Sequence, residues 1–286
     1  MSTTPLPFAW HDGGLKPLSD VHISPLDRGF LFGDGVYEVI PYPDGRAVGL
    51  RGHLQRLRDS LEAIDLPLAQ DDDALEDIFE QVVSANGGVG QSLYLQVSRA
   101  GDTRRNHAFP DHQISSLFVM TQPLASLDID RYHAGFHAIL AEDTRWQRCD
   151  IKSTSLLANV LARQAAADAD AIEAILHRDG FITEGSTSAI ACVVDGALIA
   201  PPLDTTLLPS VTRDLVWRLA ERMSLPTRCE AVPVNTLLAA SEVWLMSSTK
   251  DVAPIVSVGA NRIGDGKPGP LWRTLFDAFQ DTKYTL

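Results

Sequence analysis

The chain has 286 residues, 45% of them hydrophobic and 21% charged, with a formal net charge of -13. This composition fits a globular chain of one large or two ordinary domains with a real core, and it excludes a disordered or fibrous one. The acidic balance argues against nucleic acid or an anionic membrane as the main partner, yet leaves room for a small anion held by local arginines and hydroxyls.

Residues 8–14 read as a strand running into an Asp12-Gly13-Gly14 turn. Asp27-Arg28-Gly29-Phe30-Leu31-Phe32-Gly33-Asp34-Gly35 follows, and its glycines point to tight or closely approached backbone. Residues 36–40 leave it as a strand. A dinucleotide fingerprint is excluded, because the third glycine position is Glu38 and no helix follows.

Apolar residues at 54, 57, 61 and 64 predict a helix over 52–64, with His53 and Arg56 on a shared face. A second helix spans about 74–86 and ends at Gly87-Gly88. Strands are expected at 92–99 and 117–121, with a polar loop over 101–110 between them. Residues 122–128 are the expected linker between a small domain, 1–121, and a larger one, 129–286. The second part reads as a strand at 136–142, a helix at 156–169, and strands at 171–177 and 181–190. A hairpin turn at Asp195-Gly196 comes next, then helices at 210–223, 236–240 and 271–279. A strand at 243–247 runs into the hydroxyl-rich Ser247-Ser248-Thr249. Strands and helices mix without a βαβ rhythm, so the fold class is α+β.

Cys149, Cys192 and Cys229 are odd in number and contain no Cys-x-x-Cys pair, which indicates neither a disulfide framework nor a thiolate metal site. His133 and His137, four apart and read as strand residues, lack the glutamate of a helical zinc motif, so no metal is expected. No stretch reads as a targeting segment or a membrane span, and the cytoplasm is the default location.

Arg148-Cys149-Asp150-Ile151-Lys152-Ser153-Thr154-Ser155 stands out chemically. Ser153, Thr154 or Ser155 can cap the alanine-rich helix that follows. A lysine near a positive helix end and beside apolar neighbours is pushed toward its neutral, nucleophilic form, as a Schiff-base lysine requires. Ser210-Val211-Thr212-Arg213 at a helix start, Ser248-Thr249 after a strand, and Arg56 are the donors a phosphate would need. In Arg105-Asn106-His107, extended backbone would put Arg105 and His107 on one side as a clamp for a carboxylate, and Tyr37 can add a hydroxyl.

Several segments together resemble the class IV aminotransferases, the fold type IV pyridoxal-phosphate enzymes with the D-amino-acid aminotransferase fold. They are residues 27–39, His53-Leu-Gln-Arg56-Leu, Arg148-Cys-Asp-Ile-Lys152-Ser, residues 173–180, Thr183-Glu184-Gly-Ser-Thr-Ser, Thr212-Arg-Asp and Asp265-Gly-Lys. They fall in family order over nearly the whole chain. The resemblance implies a two-domain α+β fold and a pyridoxal 5'-phosphate cofactor held by Lys152 as a Schiff base. Lys152 would also shuttle the substrate proton, and Glu184 would keep the pyridine nitrogen protonated. It further implies a phosphate site of Arg56, Thr212, Ser248 and Thr249. Lys250, just after that pair, is bulkier and more basic than the family shows there.

The Arg105-x-His107 segment with Phe109-Pro110 is similar to that of the D-amino-acid aminotransferases. This implies a homodimer in which Tyr37, Arg105 and His107 grip the substrate carboxylate, with Arg105 and His107 reaching in from the partner subunit. Amino transfer between D-amino acids such as D-alanine or D-glutamate and 2-oxo acids such as 2-oxoglutarate or pyruvate is the resulting expectation. The alternatives are a branched-chain L-amino-acid aminotransferase, an (R)-amine transaminase, an aminodeoxychorismate lyase, or a non-catalytic cofactor-binding protein.

Overall fold

The computed structural model describes residues 5–100 and 105–286; residues 101–104 of the polar loop lie outside the described residues. The chain divides into two compact units. One contains the residues up to Ser126 together with Ile151–Ser155, and the other contains Leu127–Asp150 and Leu156–Leu286. Lys152, expected with the C-terminal part, thus groups with the N-terminal unit.

In that unit β1 (Phe8–His11), β2 (Gly14–Pro17), α1 (Arg28–Phe32) and β3 (Gly35–Tyr42) come first. Then follow α2 (Leu50–Ala63), α3 (Asp72–Ala85), β4 (Gln91–Arg99) and β5 (Ser115–Pro123). The strands form an antiparallel sheet in the order β2-β1-β5-β4-β3. Leu54, Leu57 and Leu61 recur along one face of α2, and Leu75, Phe79 and Val82 along one face of α3. Both stripes join a single core with Ile40, Leu93, Leu95 and Val97, the alternate residues of β3 and β4.

The glycine-rich stretch differs from its sequence reading, because it holds a short helix. Asp27 caps α1 by accepting from the Gly29 and Phe30 N–H groups at 2.8 and 3.3 Å. Gly33, at φ +66°, ends the helix in the left-handed conformation. Gly35 is needed for another reason: a Cβ there would meet the Val97 carbonyl oxygen at 2.7 Å.

The second unit begins with α4 (Ile129–Ala134), β6 (Phe136–Glu142), α5 (Leu157–Asp168), β7 (Glu173–Arg178) and β8 (Phe181–Gly185). It continues through β9 (Ala189–Val194), β10 (Ala197–Ala200), α6 (Val211–Arg222), β11 (Thr227–Cys229) and α7 (Val234–Leu238). The last elements are β12 (Glu242–Ser247), β13 (Asp251–Val258), β14 (Asn261–Arg262) and α8 (Pro270–Thr282). The sheet runs β11-β10-β9-β12-β13-β6-β7-β8, with β14 on β13. β6 is parallel to β7 and β13, and β10 is parallel to β11, while the other pairs are antiparallel. β6-α5-β7 and β10-α6-β11 are parallel βαβ units, but most strand pairs are antiparallel and no repeating βαβ series runs through the sheet, so the protein is α+β, as expected.

Two details correct the sequence reading, and one strand, β13, adds to it. The strand expected over 181–190 is interrupted at Ser186, Thr187 and Ser188, whose hydroxyls turn toward the Glu173 carboxylate. β13 contains Pro254, a residue that argues against a strand; it sits just ahead of Ile255, where pairing with β6 starts. His133, expected on a strand, lies on α4.

Candidate active site

Lys152 is placed by backbone pairing rather than by a helix cap. Its carbonyl accepts from the Tyr37 N–H at 3.0 Å, and the Thr154 N–H donates to the Gly35 carbonyl at 2.9 Å. Val36 and Ser153 form a β-bridge, so this segment extends the edge of β3. The Lys152 N–H donates to Ser60 Oγ on α2 at 3.2 Å. The expected caps for α5 are not made. Thr154 Oγ1 donates to the Gly33 and Gly35 carbonyls, Ser155 Oγ donates to the Gly33 carbonyl, and the cap position belongs to Leu156, which has no side-chain bond. The hydroxyls fasten the lysine segment to the end of α1 and the start of β3 instead. Lys152 Nζ then lies 4.4 Å from the centre of the Tyr37 ring, which brings two of the predicted site residues together.

Arg56 is buried on α2 and locked to Glu38, donating from Nε at 2.8 Å and from Nη2 at 2.7 Å. His53 Nδ1 lies 2.7 Å from the same carboxylate. Burial alone would raise the Glu38 pKa, but the Arg56 and His53 partners outweigh it and hold the carboxyl well below the usual range. Burial lowers the His53 pKa against the pull of Glu38, helped by the Arg56 and Lys152 charges, so the imidazole is neutral. Since an ionised carboxylate only accepts, Nδ1 carries the proton and donates it to Glu38.

A group depressed in the fold adds stability above its ordinary pKa, 4.5 for glutamate, and loses it as pH falls through the folded value. Glu38→Gln should therefore cost about 3 kcal/mol at pH 7, because the buried Arg56–Glu38 ion pair loses one of its two charges. The gap from the wild type should narrow as pH drops below 4.5. Thermal melts at pH 7 and pH 4 measure both, and a constant gap would remove the ionic role given to Glu38.

Arg105 and His107 meet at one ring. The Arg105 guanidinium carbon lies 4.9 Å from the centre of Phe32, and the His107 ring centre lies 5.0 Å from it. Both residues are exposed.

In the second unit, Glu184 is buried on β8 and ion-paired with Arg145. Arg145 in turn grips Asp143, with Nε and Nη2 donating to the two carboxylate oxygens at 2.9 Å each. The Leu208 N–H donates to Glu184 Oε2 at 3.2 Å. Burial would lower the Arg145 pKa, but Asp143 and Glu184 raise it instead, and Arg145 stays charged. Thr212 is buried in the first turn of α6, where Ser210 caps the helix by accepting from the Arg213 N–H at 3.2 Å. Ser248 and Thr249 occupy the turn between β12 and β13. Lys250 is partly buried there; burial lowers its pKa, with Arg163 adding to the effect and Glu173 opposing it. Glu173 is fully buried and accepts from the hydroxyls of Ser186, Thr187 and Ser188.

These residues fit pyridoxal phosphate by their chemistry. A placed primary amine suits its aldehyde, a buried carboxylate ion-paired with an arginine suits its ring nitrogen, and a helix start with added hydroxyls suits its phosphate. Among the described residues no group of three or more His, Cys, Asp or Glu could hold a metal ion, and no helix is long and apolar enough to cross a membrane. Sequence reasoning missed Glu38, Arg145 and Asp143. Glu38 had a usable signal: on a strand it shares a face with Val36 and Ile40, where a lone carboxylate demands a partner.

The profile of the family described as "Amino-transferase class IV" matches residues 35–258. A D-alanine aminotransferase of Staphylococcus haemolyticus is 34% identical over 261 residues, covering 91% of this chain and 92% of that one. A D-alanine aminotransferase of Bacillus licheniformis is 36% identical over 271 residues, covering 95% of each. Among solved structures, the branched-chain amino acid aminotransferase of Thermobaculum terrenum in its PLP form matches with a TM-score of 0.85 at 24% identity, covering 98% of this chain and 94% of that one. That last likeness is one of fold.

Proposed function

The chain belongs to the class IV aminotransferase family, pyridoxal-phosphate-dependent transaminases, and on that premise we propose that it exchanges amino groups between D-amino acids, such as D-alanine and D-glutamate, and 2-oxo acids, such as 2-oxoglutarate and pyruvate. The observation that carries this reading is the pairing of Arg105 and His107 on the Phe32 ring, two donor side chains set together as a carboxylate would need. The names of the relatives similar over more than nine-tenths of the chain support it.

The bound cofactor supplies an electron sink for the pair left when the substrate Cα–H bond breaks. Lys152 Nζ would hold it covalently and would carry the Cα proton, from a position set by the pairing of its backbone with Tyr37. Glu184, ion-paired with Arg145, would hold a proton on the ring nitrogen. Thr212, Ser248, Thr249 and Arg56 would hold the phosphate. Tyr37, Arg105 and His107 would hold the substrate carboxylate.

The working form in this reading is a homodimer in which each subunit's Arg105 and His107 serve the other's site. Support comes from Leu157, Val160 and Leu161, which recur along one face of α5 and are 74%, 58% and 63% exposed. The cytoplasm is the proposed location, supported by three cysteines that all remain free thiols.

The test is spectroscopic and kinetic. D-Alanine should bleach the visible absorption of the holoenzyme and L-alanine should not. Turnover of D-alanine with 2-oxoglutarate should exceed that of L-leucine or (R)-1-phenylethylamine by at least about a hundredfold, the scale on which a site built around one polar group discriminates. Preference for L-leucine would favour the branched-chain reading, and preference for the amine would remove the carboxylate clamp.

A further inference from the structure

α1 underlies the short stretch that carries Arg105 and His107. Arg28, its first residue, is buried, and its guanidinium donates to three successive backbone carbonyls: Asn106 and His107 at 2.5 and 3.1 Å, and Ala108 at 3.2 Å. Its Nε donates to Asp34 at 2.8 Å. Four residues along the same helix, Phe32 receives the side chains of Arg105 and His107, and the Arg28 guanidinium carbon lies 5.0 Å from its centre. Helical spacing puts residues 28 and 32 on one face, one turn apart.

The far end of the stretch is held as well. Arg99, fully buried, donates from Nε to the same Asp34 carboxylate at 3.1 Å, and its guanidinium carbon lies 3.7 Å from the centre of the Phe109 ring. It also donates to the Ile64 and Asp65 carbonyls at 2.6 and 3.0 Å. One carboxylate thus fixes two arginines, and the two arginines fix the backbone and the last aromatic residue of residues 105–109.

Such construction is unusual for exposed chain, and it has a chemical consequence. Two side chains that attract an anion repel each other when both are charged, so nothing intrinsic keeps them side by side. The negative face of an aromatic ring favours both, and a ring held by its helix gives them a common fixed reference. We infer that Phe32 and Arg28 are positioning residues for carboxylate recognition: Arg28 sets the backbone of residues 106–108, and Phe32 sets the spacing and direction of Arg105 and His107. The inference rests on the clamp role given to those two residues above. Its benefit is pre-organisation, since side chains already ordered in the free enzyme lose less freedom when the substrate binds.

The experiment is a double-mutant cycle on the holoenzyme. Phe32→Leu keeps apolar volume and removes the ring; it should raise KM for D-alanine and 2-oxoglutarate about fivefold while kcat and the cofactor's absorption stay as they are. Phe32→Tyr should restore the wild-type KM. In a background carrying both Arg105→Ala and His107→Ala, Phe32→Leu should add almost nothing, because the residues through which it acts are gone. Additive penalties, a wild-type KM in Phe32→Leu, or failure of Phe32→Tyr to rescue would each overturn the inference. If Arg105→Ala raises KM and Phe32→Leu does not, the clamp stands and the positioning role falls. If Arg105→Ala leaves KM unchanged, both fall. Should Phe32→Leu not fold, Arg28→Lys decides: it keeps a charge for Asp34 but cannot span three carbonyls, so amide exchange over residues 105–109 should quicken. Unchanged exchange there would overturn the role of α1.

Discussion

Lys152→Ala should lose transamination by about 10⁴-fold, because one side chain is asked both to bind the cofactor covalently and to move the substrate proton. The protein should still fold. The backbone bonds that place residue 152, to Tyr37 and Ser60, do not involve the removed side chain, and Thr154 and Ser155 still tie the segment to Gly33 and Gly35. Cofactor should still bind, but without a covalent link, and gel filtration should strip it more readily than from the wild type. The competing nucleophile is Lys250, whose pKa is lowered by burial and by Arg163. A lowered pKa alone does not decide between them. Lys152 Nζ sits against Tyr37, a proposed substrate residue, whereas Lys250 follows the proposed phosphate hydroxyls. Borohydride reduction followed by peptide mass spectrometry settles the matter: a pyridoxyl label on Lys152 is expected, and a label on Lys250 would reassign the chemistry.

The parts of this molecule legible in its sequence are those where periodicity and burial agree. The leucines of α2 and the alternating residues of β4 each declare one buried face, and both elements stand within two residues of their expected bounds. α1 was hidden because a five-residue helix shows barely more than one turn of pattern and carries a glycine, so its evidence is a cap, Asp27, rather than a stripe. β13 has no counterpart in the sequence reading, and it carries Pro254, whose missing N–H matters only if a neighbour needs it at that point. At the proposed site the motif singles out Lys152, but what positions that residue was not legible. Hydroxyls beside a helix start usually cap it, whereas here they reach residues more than a hundred positions earlier. Arg145 was illegible for the same reason. Its partner Asp143 is two residues away, which suggests only a surface pair, and the link to Glu184 exists only after β8 has folded.

Glu184→Gln should cut the rate of Cα–H cleavage by at least about a hundredfold, comparable to removing a pre-organised electrostatic group from an active site. A neutral amide cannot hold a proton on the ring nitrogen, so the electron sink weakens while binding survives. The surroundings tolerate this substitution. Glutamine keeps one oxygen to accept from Arg145, its amide nitrogen then faces the Leu208 N–H, which loses its acceptor, and Arg145 retains both bonds to Asp143, so its charge is never left unpaired. Thermal stability should therefore fall by no more than about 3 kcal/mol, the cost of one donor left without an acceptor, so the protein stays folded at the assay temperature while the chemical step slows. That contrast separates chemistry from folding. Single-turnover reaction with D-alanine and with its Cα-deuterated form measures the step directly, and a full deuterium effect on a slowed rate is the expected result. If proton transfer instead proceeds at the wild-type rate, Glu184 has no part in protonating the ring. Its bond to Arg145 would then be a structural tie between β8 and the segment after β6, and the ring nitrogen would need another partner.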